Sequence, residues 1–157
     1  NMTGGIVGEN LGSIVSCRGR AYVNIESTDP SIDLSNLNLE FSLDLAKLSR
    51  ADTLNTATDT GGIAGYSSGA IASSTNYAAV GYQHIGYNIG GVVGRSSGQV
   101  LACSNEGAIC GRKDVGGIAG QISKGSDGKG NYIVNCYSWI ERVASNNNNI
   151  GGIVGIV

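Results

Sequence analysis

At 157 residues the chain is long enough for one domain with a sizeable core. Glycine supplies 26 of those residues, against a usual share of about 7%, while proline occurs once and no three-residue period exists, which excludes collagen. With 41% hydrophobic and 14% charged residues the chain is too apolar to be disordered by composition, and a net charge of −2 leaves no footprint for nucleic acid or an anionic membrane.

No apolar run approaches the roughly 20 residues of a membrane span, so no membrane insertion is expected. The opening Asn1-Met2-Thr3-Gly4-Gly5 lacks the pattern of a signal peptide, and a mature chain or an excised fragment is expected. The motif Gly-Gly-[Ile/Val]-[Ala/Val]-Gly begins at Gly4 and returns at Gly61, Gly90, Gly116 and Gly151, with spacings of 57, 29, 26 and 35 residues. A period of this size marks a solenoid or a similar array.

In chain order, the first unit reads GGIVGENLGSIVSCRGRAYVN from Gly4, the second GGIAGYSSGAIASSTNYAAVG from Gly61, and the third GGVVGRSSGQVLACSNEGAICG from Gly90. The fourth, from Gly116, fits once the seven residues 124–130 are looped out. Each unit holds three short apolar stretches bounded by Gly, Ser or Asn, which read as strands rather than helices. Three strands per coil of about 26 residues predict an all-β fold, a three-sided parallel β-helix of about four coils, with equivalent side chains stacked in columns. The predicted columns are Ile6/Ile63/Val92/Ile118/Ile153, Ile14/Ile71/Val100/Ile133 and Val23/Val80/Ile109/Val143. Glycines are placed at the corners, where positive φ or close backbone approach excludes a Cβ. The whole of 1–157 is read as one domain.

Residues 26–59 interrupt the first repeat. They carry seven acids and two bases, net −5, against net +3 elsewhere. Leu37, Leu39, Phe41 and Leu43 alternate, which predicts a strand over about 37–43, followed by a short helix capped near Ser42 and ending by Ala51. This insert either covers an end or a face of the solenoid or docks a partner.

Candidate chemistry is sparse. His84 is the single histidine and has no orienting partner in sequence, so no catalytic residue is assigned. Cys17, Cys103 and Cys136 share one position in their units, with Ser74 in the second, and predict an interior ladder of small thiols. Coils about 4.8 Å apart would bring Cys103 and Cys136 within disulfide reach. Stacked thiols do not make a tetrahedral metal site. The loop over 124–130 has one carboxylate, too few for calcium, and no cofactor is expected. Arg20, Tyr77, Glu106 and Trp139 fall at one outward position, and Tyr82, His84 and Tyr87 in the loop after Val80. These are the binding candidates, beside the reading that they are isolated surface residues.

The pattern GG-[IV]-x-G, then x-x-x-G-x-[IV], then Asn-Cys-Tyr at 135–137, then G-x-[IV]-x-G, resembles the GLUG repeat over residues 1–24 and 61–157. That resemblance implies a piece of a large bacterial surface or secreted protein, as in the non-catalytic parts of IgA-peptidase-like and haemagglutinin-like proteins. It implies an extracellular or cell-surface setting and transfers no catalytic residues. The peptidases that contain the repeat use His-Glu-x-x-His, which one histidine cannot supply. The expected function is a non-catalytic extracellular module, a rigid spacer or adhesin presenting loops to another protein. The alternative is a self-assembling structural protein, because the last strand, with Ile153, Val154 and Ile156, is apolar and offers a template for another coil. A second alternative is a glycan-binding module using the exposed aromatics.

Overall fold

The computed structural model describes residues 1–25, 58–82, 86–125, 131–139, 143–145 and 149–157. The expected strand and helix of the insert, with Leu37, Leu39, Phe41 and Leu43, fall outside these residues, as does His84.

The first coil contains β1 (Thr3–Gly4), β2 (Val7–Asn10), β3 (Ser13–Val15) and β4 (Arg18–Gly19). The second contains β5 (Thr58–Gly61), β6 (Ala64–Ser67), β7 (Ala70–Ala72) and β8 (Thr75–Asn76). The third contains β9 (Tyr87–Gly90), β10 (Val93–Ser96), β11 (Gln99–Leu101), β12 (Ser104–Asn105) and β13 (Ile109–Gly111). The fourth contains β14 (Lys113–Gly116), β15 (Ala119–Ile122), β16 (Ile133–Val134), β17 (Tyr137–Ser138) and β18 (Val143–Ser145), and β19 (Ile150–Gly151) and β20 (Val154–Ile156) start another turn. No helix occurs among the described residues.

Every strand pairs in parallel with its counterpart one coil away. The sheets run β1-β5-β9-β14-β19, β2-β6-β10-β15-β20, β3-β7-β11-β16, β4-β8-β12-β17 and β13-β18. Bridges from Val23 to Val80 and from Val80 to Ile109 extend the last of these downward. The chain is a parallel β-solenoid of about four coils.

All three apolar columns stack as the repeat predicts. Ile14, Ile71, Val100 and Ile133 are paired in register, as are Val23, Val80, Ile109 and Val143. The amides of Ile6, Ile63, Val92 and Ile118 donate to the carbonyls of Ile63, Val92, Ile118 and Ile153. Fully burying one such side chain is worth about 1.5–3 kcal/mol. Ordering a residue costs about 1–2 kcal/mol, so a coil with three of them cannot fold alone. Stacking is what closes the core.

Two features differ from the expectation. The coils hold more than three strand segments, four in the first and second and five in the third and fourth, because the Gly-Gly-Ile step is a bend between two strands and a short polar strand follows β3, β7, β11 and β16. The insert also ends earlier than 59: Thr58 and Asp59 lie in β5, whose Thr58 pairs with Tyr87.

The corners differ in chemistry as well. Positive φ falls on Asp59, Asn88, Asp114 and Asn149 in one column, and on Ser16, Ser73, Ala102 and Asn135 in another. Among the described glycines only Gly81 and Gly86 have it. Asn and Asp tolerate this region through local hydrogen bonding. The motif glycines serve close approach instead. A Cβ on Gly62 or Gly91 would collide with the side chain of Asn76 or Asn105 across the interior, and with the carbonyl of the next coil's glycine.

Candidate functional site

The polar fourth sheet has a buried inner face and an exposed flank. Inside, Asn76 and Asn105 are wholly buried. Each closes a small loop on its own coil: Asn76 Nδ2 donates to the Ala78 carbonyl at 2.7 Å, and Asn105 Nδ2 to the Gly107 carbonyl at 2.8 Å. Buried amides tolerate this only because they are paired.

One residue further on, the chain turns outward at Arg20, Tyr77, Glu106 and Trp139. The amides of Tyr77, Glu106 and Trp139 donate to the carbonyls of Gly19, Asn76 and Asn105 at 2.9, 2.8 and 2.8 Å. The four side chains therefore stand on successive coils as one exposed ladder. The Arg20 guanidinium lies 5.4 Å from the centre of the Tyr77 ring, and Trp139 is 80% exposed. The structure thus brings together four of the sequence candidates. It does not add the others to them: Tyr82 is exposed on its own loop, and Tyr87 is half-buried at the start of β9, in register between Thr58 and Lys113. At the end of the chain, Ile153 is 37% exposed. Val154 packs against the core, and Ile156 continues the column of Gln121.

The thiol ladder is present, and its members are free rather than disulfide-bonded. The Cys17 amide donates to Ser74 Oγ at 3.1 Å, and the Cys103 amide to Cys136 Sγ at 3.3 Å. The sulfurs of Cys103 and Cys136 each reach a carbonyl of the coil below, Cys103 that of Ile71 and Cys136 that of Val100, both at 3.5 Å, while Cys17 Sγ reaches the Val15 carbonyl of its own coil at 3.5 Å. The Cys103 thiol, hydrogen-bonded to the Cys136 sulfur, pulls the pKa of Cys136 down to about 7. The same contact, together with burial, pushes Cys103 well above its ordinary value.

A second polar cluster was missed from sequence. Asp59, on the corner of the second coil, accepts from Arg95 Nε at 3.1 Å and from an Arg95 terminal nitrogen at 2.9 Å, and its other oxygen accepts from Asn88 at 2.8 Å. This fixes the guanidinium 4.7 Å from the centre of the Tyr66 ring, whose hydroxyl lies 2.7 Å from Ser97 Oγ. The signal was there: Tyr66-Ser67-Ser68 and Arg95-Ser96-Ser97 follow the motif at the same offset. Reading Asp59 as part of the insert hid its partner.

No known family matches the chain, and no curated protein and no solved structure matches it; none of these comparisons identifies a GLUG repeat. The class of protein defined here is the parallel β-solenoid, from its own geometry.

Proposed function

We propose that the chain is a non-catalytic, extracellular repeat module of the GLUG kind, a rigid spacer or adhesin that presents outward ladders to a partner protein. The observation that carries this reading is the unbroken register of the coils. Ile63, Val92 and Ile118 stack without exposure, and Arg20, Tyr77, Glu106 and Trp139 rise beside them on consecutive rungs. A stack hydrogen-bonded at every rung holds exposed side chains at fixed intervals of about 4.8 Å. The glycine motif adds the bacterial surface setting to this proposal through its resemblance alone.

The spacer reading is tested by single-molecule energy transfer between dyes on the first and last coils. One narrow distance distribution supports a rigid rod; a broad one overturns it. Protease shaving of intact producing cells tests the location, and protection of the chain inside the cell overturns the extracellular part.

End-to-end assembly is the alternative. Its support is the repeat itself: successive coils pair in register through the same apolar columns, so a second copy offers matching rungs. Light scattering over a concentration series decides: growth into fibres favours assembly, and a monomer at all concentrations removes it.

A further inference from the structure

On the face beyond the second sheet, Ser68, Ser97 and Ser123 occupy one position on three successive coils. The amides of Ser97 and Ser123 donate to the carbonyls of Ser67 and Ser96, both at 2.8 Å. With Tyr66, Arg95 and Lys124 these serines line an open groove of about 360 Å³. We propose that this groove binds an acidic polysaccharide, laid along the solenoid axis with its carboxylate or sulfate groups against Arg95 and Lys124.

Four observations carry the assignment. The described lining of the groove holds two cationic side chains, Arg95, which is paired with Asp59, and Lys124, although the chain is net negative. Among the described residues none of its lining side chains is acidic. Arg95 is 38% exposed and uses two nitrogens on Asp59, whose side chain is only 7% exposed. Its remaining N–H groups are available to a ligand, and its position is fixed before any ligand arrives, which lowers the cost of binding. Lys124 is exposed and has no ion-pair partner among the described residues.

The hydroxyls select the saccharide. Ser68, Ser97 and Ser123 form a rail with a spacing of about 4.8 Å, comparable to the length of one pyranose unit. Each hydroxyl both donates and accepts, which suits a ligand covered in hydroxyls. The volume lies within the roughly 300–1,000 Å³ of small-molecule sites and is far larger than one free anion requires. A peptide partner would need an apolar anchor, and the Tyr66 ring already has Arg95 over it.

The proposal is independent of the spacer reading: a flexible chain with an acidic-glycan site, or a rigid one without it, would separate the two. The test is calorimetry and salt-dependent retention of the full chain with a polygalacturonate oligomer, a chondroitin sulfate oligomer, a neutral cello-oligomer and inorganic sulfate. Binding of one or both acidic oligomers, lost at high salt, with the neutral oligomer weaker, is expected; binding of the polygalacturonate oligomer shows that carboxylates alone suffice. Lys124→Gln, at an exposed position, should weaken that binding about threefold to fivefold. Arg95→Gln should weaken it further, with circular dichroism reporting whether the coil stack survives. Trp139→Ala and Tyr77→Ala should leave it unchanged. The proposal falls if neither acidic oligomer binds, if the neutral oligomer binds equally well, or if Lys124→Gln has no effect. Loss of binding in Trp139→Ala moves the site to the outward ladder and equally overturns it. Displacement by inorganic sulfate at the same concentration would show a free-anion site and remove the saccharide.

Discussion

Asn76 donates its side-chain amide to the Asn105 side-chain oxygen at 2.7 Å, across two coils and 29 residues of chain. The ladder stops one rung later, at Ser138, whose hydroxyl is buried and has no partner among the described residues. Gly117 faces Ser138 as Gly91 faces Asn105, so an asparagine fits there. Ser138→Asn is expected to stabilise the chain by about 0.5–1.5 kcal/mol, one net hydrogen bond. Asn105→Ala should cost about 1–3 kcal/mol by stranding the Asn76 amide. Urea midpoints measure both, and an Asn105→Ala protein as stable as the parent would refute the ladder's role.

The apolar column makes a graded prediction. Ile118 is fully buried between Val92 and Ile153, so Ile118→Ala should cost about 2–5 kcal/mol. Ile153→Ala, at a partly exposed rung, should cost distinctly less. Equal losses in denaturant titrations would contradict the column.

Two glycines separate close approach from composition. A Cβ on Gly91 would strike the Asn105 side chain, whereas nothing lies within 4 Å of a Cβ on Gly12. Gly91→Ala should therefore abolish the cooperative thermal transition, and Gly12→Ala should leave Tm unchanged or raised.

Thiol titration supplies a pH prediction. With Cys136 at about 7, against an ordinary 9.0, its alkylation by iodoacetamide should rise through neutral pH while Cys103 stays unreactive. The folded pair gives up its first proton earlier than the unfolded chain does, so its contribution to stability is absent below pH about 7 and grows toward 9. Above that, the raised Cys103 reverses the trend, because the unfolded chain then loses a proton that the folded one keeps. Cys103→Ala should return Cys136 toward its ordinary value. Peptide mass spectrometry of alkylation against pH reads all three, and identical profiles for the two thiols would count against the contact.

Asp59 tests the corner. It combines a φ of 55° with the Arg95 pair. Asp59→Asn keeps the backbone preference and loses the charge, with an expected loss of about 1 kcal/mol because Arg95 is partly exposed. Asp59→Val adds a β-branched side chain in the left-handed region and should cost more. A Val variant matching the Asn variant in denaturation would remove the conformational argument.

What could be read from the residues was whatever repeats as an apolar pattern. Ile71 and Val100 advertise their stacking because apolar pairs recur at one offset, and Cys103 and Cys136 follow the same offset. Asn76 and Asn105 did not stand out as core, since a polar residue is buried only when its partners are supplied by another coil. Asp59 reads as part of the acidic insert in the sequence, because its partner Arg95 lies 36 residues on. The left-handed corners at Ala102 and Ser73 carry no compositional mark at all. For Leu37, Leu39, Phe41 and Leu43 the sequence expectation stands alone, outside the described residues.

The corner column of Asp59, Asn88, Asp114 and Asn149 alternates in charge. Asn88 donates to Asp59 and Asn149 to Asp114, at 2.8 and 2.6 Å. Isoleucine and valine rungs are interchangeable, so the core alone would accept a chain that skipped a turn. Skipping the third coil would set Asp59 against Asp114, carboxylate to carboxylate, near the protein's interior. The alternation thus sets an electrostatic cost on any pairing that leaves out a coil.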